Sequence, residues 1–153
     1  MSARKPKILA IASSGGHWIQ LMRLTPAFAE AEVVFVSTHP GYQGQVNGSA
    51  FYTVTDATRW EKLKLLRMAF EVRRIIHKEK PDVVISTGAA PGLMAVIWGR
   101  LTGRRTIWID SIANVDRISM SGRIARPFAS LHLTQWEHLS NGTKTHFKGT
   151  VLT

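Results

Sequence analysis

The stretch Ile8-Leu9-Ala10-Ile11-Ala12-Ser13-Ser14-Gly15-Gly16-His17 determines the fold expected for this chain. An apolar run followed by two glycines predicts a buried strand that turns directly into a helix. Glycine is needed there because the chain turns tightly and lets a ligand approach the backbone. His17 then falls in the first helical turn, at the mouth of a cleft, and histidine readily moves protons near neutral pH. The pattern indicates an anion-binding loop with a titratable side chain; an ordinary strand-to-helix turn is the alternative.

The glycines of this loop fit neither of two common nucleotide-binding motifs. They lack the G-x-G-x-x-G spacing of the dinucleotide fingerprint, and no Gly-Lys-Ser/Thr sequence follows, as a Walker loop requires. The loop therefore predicts an anion site without specifying the ligand.

The composition is that of one globular domain. The chain has 153 residues, of which 44% are hydrophobic and 20% charged, so a single domain over residues 1–153 is expected. Cysteine is absent, which excludes a disulfide framework and a thiolate metal site.

The chain carries a formal net charge of +10, which implies an anionic partner: nucleic acid, lipid headgroups or phosphorylated ligands. No secretory signal is recognisable in the sequence. The longest uncharged stretch, residues 83–99, is interrupted by serine, threonine, glycine and proline, so it does not predict a membrane span. A protein of this kind that meets a membrane is expected to lie on its surface.

Strands and helices are expected to alternate along the chain. Apolar runs predict strands over residues 7–12, 33–37, 51–54, 82–86, 106–109, 131–134 and 147–152. Helices are predicted over residues 17–31, 58–80 and 92–101, with a short one within 111–127 and a polar loop over 39–49. Continuously apolar strands favour a parallel sheet covered on both faces, a Rossmann-like α/β fold.

Three polar loops follow strands of this sheet, over residues 13–17, 87–92 and 110–114. Ligands of such sheets bind outside the carboxyl ends of the strands. The three loops are therefore expected to meet at one site.

The long predicted helix has two apolar faces. Leu65, Met68, Ala69, Val72 and Ile76 form a stripe suited to the core. A second strip consists of Leu63, Leu66 and Phe70 and lies beside Arg73 and His77. Apolar residues flanked by cations are typical of a helix at a membrane interface; packing on another protein segment is the alternative.

Four motifs in order resemble the Alg-fourteen-like family. They are Ser13-Ser14-Gly15-Gly16-His17; Ser86-Thr87-Gly88-Ala89-Ala90-Pro91-Gly92; Asp110-Ser111-Ile112-Ala113 followed by Ser119-Met120-Ser121-Gly122-Arg123; and Leu133-Thr134-Gln135-Trp136-Glu137. Members of this family are N-terminal, acceptor-side halves of split GT-B glycosyltransferases. A more distant single-chain relative completes lipid II in peptidoglycan synthesis.

The resemblance implies a site at the three loops. His17 and Asp110 would be the catalytic residues, either one acting as base, with Asp110 alternatively orienting His17. The Gly92 helix N-terminus would be aimed at an anion. The residues implied in binding acceptor or phosphate are Ser14, Gly15, Gly16, Gly88, Gly92, Ser111, Asn114, Arg117 and Arg123.

The resemblance also implies the partners. A separate subunit, the C-terminal GT-B half, would bind the UDP-sugar, and the acceptor would be a lipid-linked saccharide. The sequence ends about where a single-chain enzyme would continue into its nucleotide-sugar domain. Leu63, Leu66, Phe70 and Arg73 would contact an anionic membrane surface, on the cytoplasmic face of the inner membrane. No cofactor, metal or nucleic acid is expected.

Three other functions share parts of this sequence signature. A non-catalytic anchor that recruits the UDP-sugar-binding subunit would carry the same sequence signature. A Rossmann oxidoreductase is disfavoured because the fingerprint is missing and Ser37-Thr38-His39 follows the second strand where an acid is required. A nucleic-acid-binding module is suggested by charge alone, without a recognition motif.

Overall fold

A seven-stranded parallel sheet forms the centre of the molecule, and the computed structural model describes residues 4–151. The strands are β1 (Lys7–Ile11), β2 (Glu32–Ser37), β3 (Ala50–Thr53), β4 (Val83–Ser86), β5 (Arg105–Ile109), β6 (Leu131–Thr134) and β7 (Thr145–Phe147). Their spatial order is β3-β2-β1-β4-β5-β6-β7, with every neighbouring pair parallel. The predicted Rossmann-like sheet is confirmed.

Both faces of the sheet are covered, because the buried strands carry apolar side chains on both sides. The helices are α1 (Gly16–Arg23), α2 (Lys62–Glu79), α3 (Ala89–Leu101) and α4 (Met120–Ala125). The core on one face joins Leu9, Val34 and Val84 to buried side chains of α2 and α3. The core on the other face joins Ala10 and neighbouring strand residues to α1. This explains why the strands read as continuous apolar runs.

The first helix is shorter than predicted. It ends at Arg23, and a 3₁₀ helix over Thr25–Phe28 replaces the rest of the predicted segment. Pro26 is the physical reason, since proline has no N–H to donate and clashes with the preceding helical turn. The predicted polar loop over residues 39–49 likewise contains a 3₁₀ helix, Pro40–Gln45.

The second helix begins at Lys62 rather than at residue 58. The Glu61 carboxylate accepts a hydrogen bond from the Thr58 N–H (3.1 Å), which closes a separate turn before the helix. At the other end Lys80 adopts a left-handed conformation with φ of 49° and stops α2 just before Pro81.

The third helix and the last strand also differ from prediction. α3 begins at Ala89, three residues before the predicted start, so Gly92 lies inside its first turn. The last strand covers Thr145–Phe147 rather than residues 147–152, and residue 152 lies outside the described residues. In the part of the chain that is described, no helix is both long and apolar enough to cross a bilayer.

Candidate functional site

The three polar loops that follow β1, β4 and β5 meet near the point where the order of strands in the sheet reverses direction. β1 pairs with β2 on one side and with β4 on the other, and the segments after β1 and β4 therefore diverge at their carboxyl ends. In open α/β sheets this point is where ligands bind. A cavity of about 270 Å³ lies there; its lining residues are His17, Gly88, Ala89, Asp110, Ser111, Ala113, Asn114, Ser119, Met120 and Ser121.

His17 is held in one orientation by the loop after β4. Its Nδ1 lies 3.1 Å from the Thr87 carbonyl oxygen, and because a carbonyl only accepts, Nδ1 carries the proton. The Thr87 hydroxyl in turn donates to the His17 carbonyl oxygen (2.6 Å). In the neutral ring Nε2 is then the unprotonated nitrogen, which is the form a general base requires.

Gly88 accommodates the His17 ring. Its φ is +136°, and a Cβ built at this position would lie 2.5 Å from His17 Nδ1 and 2.8 Å from Cε1. Gly88 also precedes the first residue of α3. The glycine is therefore required by both the backbone conformation and the neighbouring ring.

The Asp110 carboxylate is buried and bound within the fold. One oxygen, Oδ1, accepts from Trp108 Nε1 (3.0 Å) and from the Ser119 hydroxyl (2.6 Å). The other, Oδ2, accepts from the Ser119 N–H (2.9 Å). The side chain is 1% exposed. Asp110 therefore fixes the start of α4, and the orientation of His17 that was predicted for Asp110 is provided by the Thr87 carbonyl.

The first glycine loop is tied to the segment after β2. The Ser14 N–H donates to the Thr38 hydroxyl (3.2 Å) and the Gly15 N–H donates to the Tyr42 hydroxyl (3.0 Å). Two amides that the sequence predicted for an anion therefore have partners in the protein. Tyr42 itself stacks on Trp18, with ring centroids 4.7 Å apart.

Gly92 belongs to the core and not to the site. It is buried within α3, and a Cβ there would collide with the Ser86 hydroxyl and touch Trp108. The predicted anion-directed helix end at Gly92 is wrong; α3 begins at Ala89, which lines the cavity. Arg117 and Arg123 are exposed and are not among the lining residues, whereas Ser111 and Asn114 are.

Several site residues were missed by sequence reasoning. Thr87 and Ser119 lie within quoted motifs, yet their roles depend on partners distant in sequence. Ser119 does carry a local signal, because its hydroxyl accepts from the Gly122 N–H (2.9 Å) as a helix N-cap. Within residues 4–151 no group of three or more His, Asp and Glu side chains is arranged to hold a metal ion.

Comparison with known proteins identifies the family. Residues 45–151 match the family model described as "Oligosaccharide biosynthesis protein Alg14 like", so the chain belongs to the Alg14-like family.

Two relatives illustrate the similarity. A protein named UDP-N-acetylglucosamine transferase subunit ALG14, from Yarrowia lipolytica, is 26% identical over 167 residues, covering 88% of this chain and 76% of that protein. The UDP-N-acetylglucosamine–N-acetylmuramyl-(pentapeptide) pyrophosphoryl-undecaprenol N-acetylglucosamine transferase of Geobacillus kaustophilus is 25% identical, covering 97% of this chain and 46% of that enzyme. The prediction of a glycosyltransferase is confirmed by these relatives, while dependence on a partner chain stays a prediction.

Solved structures agree on the fold. The crystal structure of MurG from Acinetobacter baumannii superposes with a TM-score of 0.77 at 13% identity, covering 94% of this chain and 45% of that one. The chain spans about half the length of that protein.

Proposed function

We propose that this protein is the acceptor-binding subunit of a two-component, membrane-associated glycosyltransferase. It would bind a lipid-linked pyrophosphate saccharide, and a second chain would supply the UDP-sugar. The observation that carries the proposal is the His17–Thr87 pair, which holds an unprotonated Nε2 at the lip of a cavity on the ligand-binding edge of the sheet.

The cavity suits a pyrophosphate because of the backbone around it. The first turns of α1 and α3 lie at its wall, through His17 and Ala89. Helix N-termini present N–H groups without intrahelical partners and favour negative charge. Asp110 is the acidic side chain of the lining, and its carboxylate is occupied by Trp108 and Ser119.

The proposed reaction is an inverting transfer. His17 Nε2 removes the proton from the acceptor hydroxyl as the hydroxyl oxygen attacks C1 of the donor sugar. The bond from C1 to the β-phosphate oxygen breaks, and UDP leaves with the electron pair. Because the relatives are named UDP-N-acetylglucosamine transferases, we propose N-acetylglucosamine as the sugar.

Leu63, Leu66 and Phe70 form a strip on the surface of α2, which we call the α2 apolar strip, and this strip is proposed to contact the membrane. Leu63 is 84% exposed, and Leu66 and Phe70 are each 55% exposed. A groove of about 310 Å³ beside the strip is lined by Phe70, Arg73, Arg74 and His77, a composition that suits anionic headgroups. We propose the cytoplasmic face of the inner membrane as the location, since UDP-sugars are cytoplasmic substrates.

The segment that leads into α2 contacts a residue of the cavity wall, which supports a lipid-linked acceptor. The Arg59 guanidinium, just before α2, lies 3.8 Å from the Met120 sulfur, and Met120 lines the cavity. A lipid tail leaving the cavity at Met120 would therefore reach the α2 side of the molecule.

The proposal is tested by measuring sugar transfer by the protein after it has been isolated together with the chains that bind it. Tagged wild-type protein and a His17→Ala variant are captured from their own cells in mild detergent, and the eluates are assayed for transfer from UDP-N-acetylglucosamine to extracted lipid. We expect His17→Ala to retain the companion chain and to lose turnover about 10²–10⁴-fold, the usual contribution of a general base.

His146→Ala is the matched control, since His146 lies on β7 and does not line the cavity. Full activity of His17→Ala with the companion still bound would favour the non-catalytic anchor. If the wild-type eluate contains no companion chain and shows no transfer activity, the proposal is overturned.

A further inference from the structure

The wall of the site formed by residues 110–115 has no regular secondary structure and is held by side chains from elsewhere. We call it the site loop. Three of its carbonyl oxygens accept hydrogen bonds from the segment after β6: Asp110 O from Gln135 Nε2 (3.0 Å), Ile112 O from Trp136 Nε1 (2.7 Å) and Val115 O from His138 Nε2 (2.6 Å).

A second buried amide, that of Gln20 on α1, binds the loop from the other side. Its Oε1 accepts from the Ile112 N–H (3.1 Å), and its Nε2 donates to the Ser111 hydroxyl (3.0 Å). The two glutamines also bind each other, since Gln135 Nε2 donates to Gln20 Oε1 (2.6 Å). Both are nearly inaccessible, 6% exposed for Gln20 and 4% for Gln135.

The Gln135 amide is fully used. Its nitrogen donates to Asp110 O and Gln20 Oε1, and its oxygen accepts from the Val151 N–H (2.9 Å). Val151 is fixed from its other side by Arg23, whose Nη1 donates to the Val151 carbonyl (3.2 Å). A buried polar network of this kind specifies one conformation when every hydrogen bond is made. Removing one member leaves a buried polar group unpaired and lowers the stability of that conformation.

We propose that Gln135 and Gln20 are positioning residues that fix the site loop and so place Ser111 and Asn114 toward the acceptor. Neither glutamine lines the cavity; each acts through the loop it binds. The same Gln135 amide makes the loop's conformation depend on Val151 being in place. The acceptor part of the inference rests on the proposed function, and the loop part does not.

The first test is amide hydrogen exchange of the site loop in the protein without ligand. We expect Gln135→Met and Gln20→Met to raise exchange of the Ile112 and Ala113 amides about tenfold, the change expected when one net hydrogen bond is lost from an opening equilibrium.

Thr145→Val is the control. It removes a buried hydroxyl that binds His132 (3.0 Å) and lies in a different part of the sheet, so it lowers stability without touching the site loop. Unchanged exchange at residues 111–115 in the two methionine variants, or an equal rise in Thr145→Val, would overturn the proposal.

The second test is binding of farnesyl pyrophosphate, a soluble prenyl pyrophosphate. Gln135→Met is expected to raise its Kd about tenfold, whereas Thr145→Val leaves it unchanged. Faster amide exchange of the site loop in Gln135→Met together with an unchanged Kd for farnesyl pyrophosphate would overturn the positioning role. If wild-type protein fails to bind the probe, the proposed function fails, and the exchange experiment still decides whether the glutamines fix the loop.

Discussion

His17 and Gly88 form a pair in which the conformation of each depends on the other. The ring lies against the Gly88 Cα, and its Nδ1–H is taken by the carbonyl of the preceding residue, Thr87. A side chain at position 88 would occupy the space of the ring. The tautomer that leaves Nε2 unprotonated is therefore selected by the backbone after β4.

Replacing Gly88 by alanine should displace His17. The left-handed φ adds strain of about 1–3 kcal/mol, and the ring must leave the Thr87 carbonyl. ¹⁵N chemical shifts of the imidazole should show loss of the Nδ1-protonated form, with a large loss of any transfer activity.

Gly103→Ala provides the strain control, since Gly103 has a φ of +80° with no neighbouring atom within 4 Å of a built Cβ. It should lower stability and leave the His17 spectrum unchanged. An unaltered His17 tautomer in Gly88→Ala would contradict the steric argument.

Helix α2 combines a buried stripe and an exposed one. Met68, Val72 and Ile76 pack on the sheet, whereas Leu63 and Phe70 face solvent. Exposed apolar groups of this size mark an interaction surface when they are contiguous. Cations flank the exposed strip, which is the arrangement of an interfacial helix.

Phe70→Glu should weaken binding to vesicles containing an anionic phospholipid by about tenfold or more, because it removes apolar burial and adds a repelled charge. Sedimentation with vesicles measures the effect. Leu101→Glu is the control, since Leu101 is 64% exposed at the end of α3. Equal loss in both variants would indicate a general charge effect and contradict a specific role of the strip.

At the edge of the sheet formed by β6 and β7, a buried histidine connects neighbouring elements. His132 on β6 donates from Nε2 to the Gly122 carbonyl (2.8 Å) and accepts at Nδ1 from the Thr145 hydroxyl (3.0 Å). It thereby connects α4, β6 and β7. Burial lowers the pKa of His132 below its ordinary value of 6.5; the Gly122 carbonyl and Asp110 oppose this effect, and Arg126 adds to it.

The lowered pKa predicts acid sensitivity of the whole fold. The unfolded chain binds a proton at a higher pH than the folded one does, so the contribution of His132 is present above about pH 6.5 and is lost as the pH falls toward the folded pKa. Denaturant titrations at pH 8 and at pH 5.5 should show His132→Gln losing less stability on acidification than wild type, after a cost of about 1 kcal/mol at pH 8.

His77→Gln serves as the comparison, since His77 is exposed on α2. It should retain the wild-type pH dependence. If His132→Gln lost as much stability on acidification as wild type, another group would be responsible.

The amino-acid sequence alone determined the class of fold and the edge that carries the site. Apolar strand runs separated by helical segments require a parallel sheet covered on both faces, and three polar loops after strands converge on one edge. Local rules also located His17, whereas Ser111 was implied by the family resemblance. The predicted end of α1 and the predicted start of α2 were wrong, because Pro26 ends the first helix early and the Glu61 carboxylate closes a separate turn before the second.

The tertiary structure alone decided how the site residues act. His17 is oriented by Thr87, seventy positions away, and Asp110 is bound by Ser119 rather than directed at His17. Gly92 packs in the core rather than at the site, because α3 starts three residues earlier, at Ala89. Sequence periodicity reports which side chains are buried, whereas hydrogen bonds between distant segments form only when the sheet order brings the loops together.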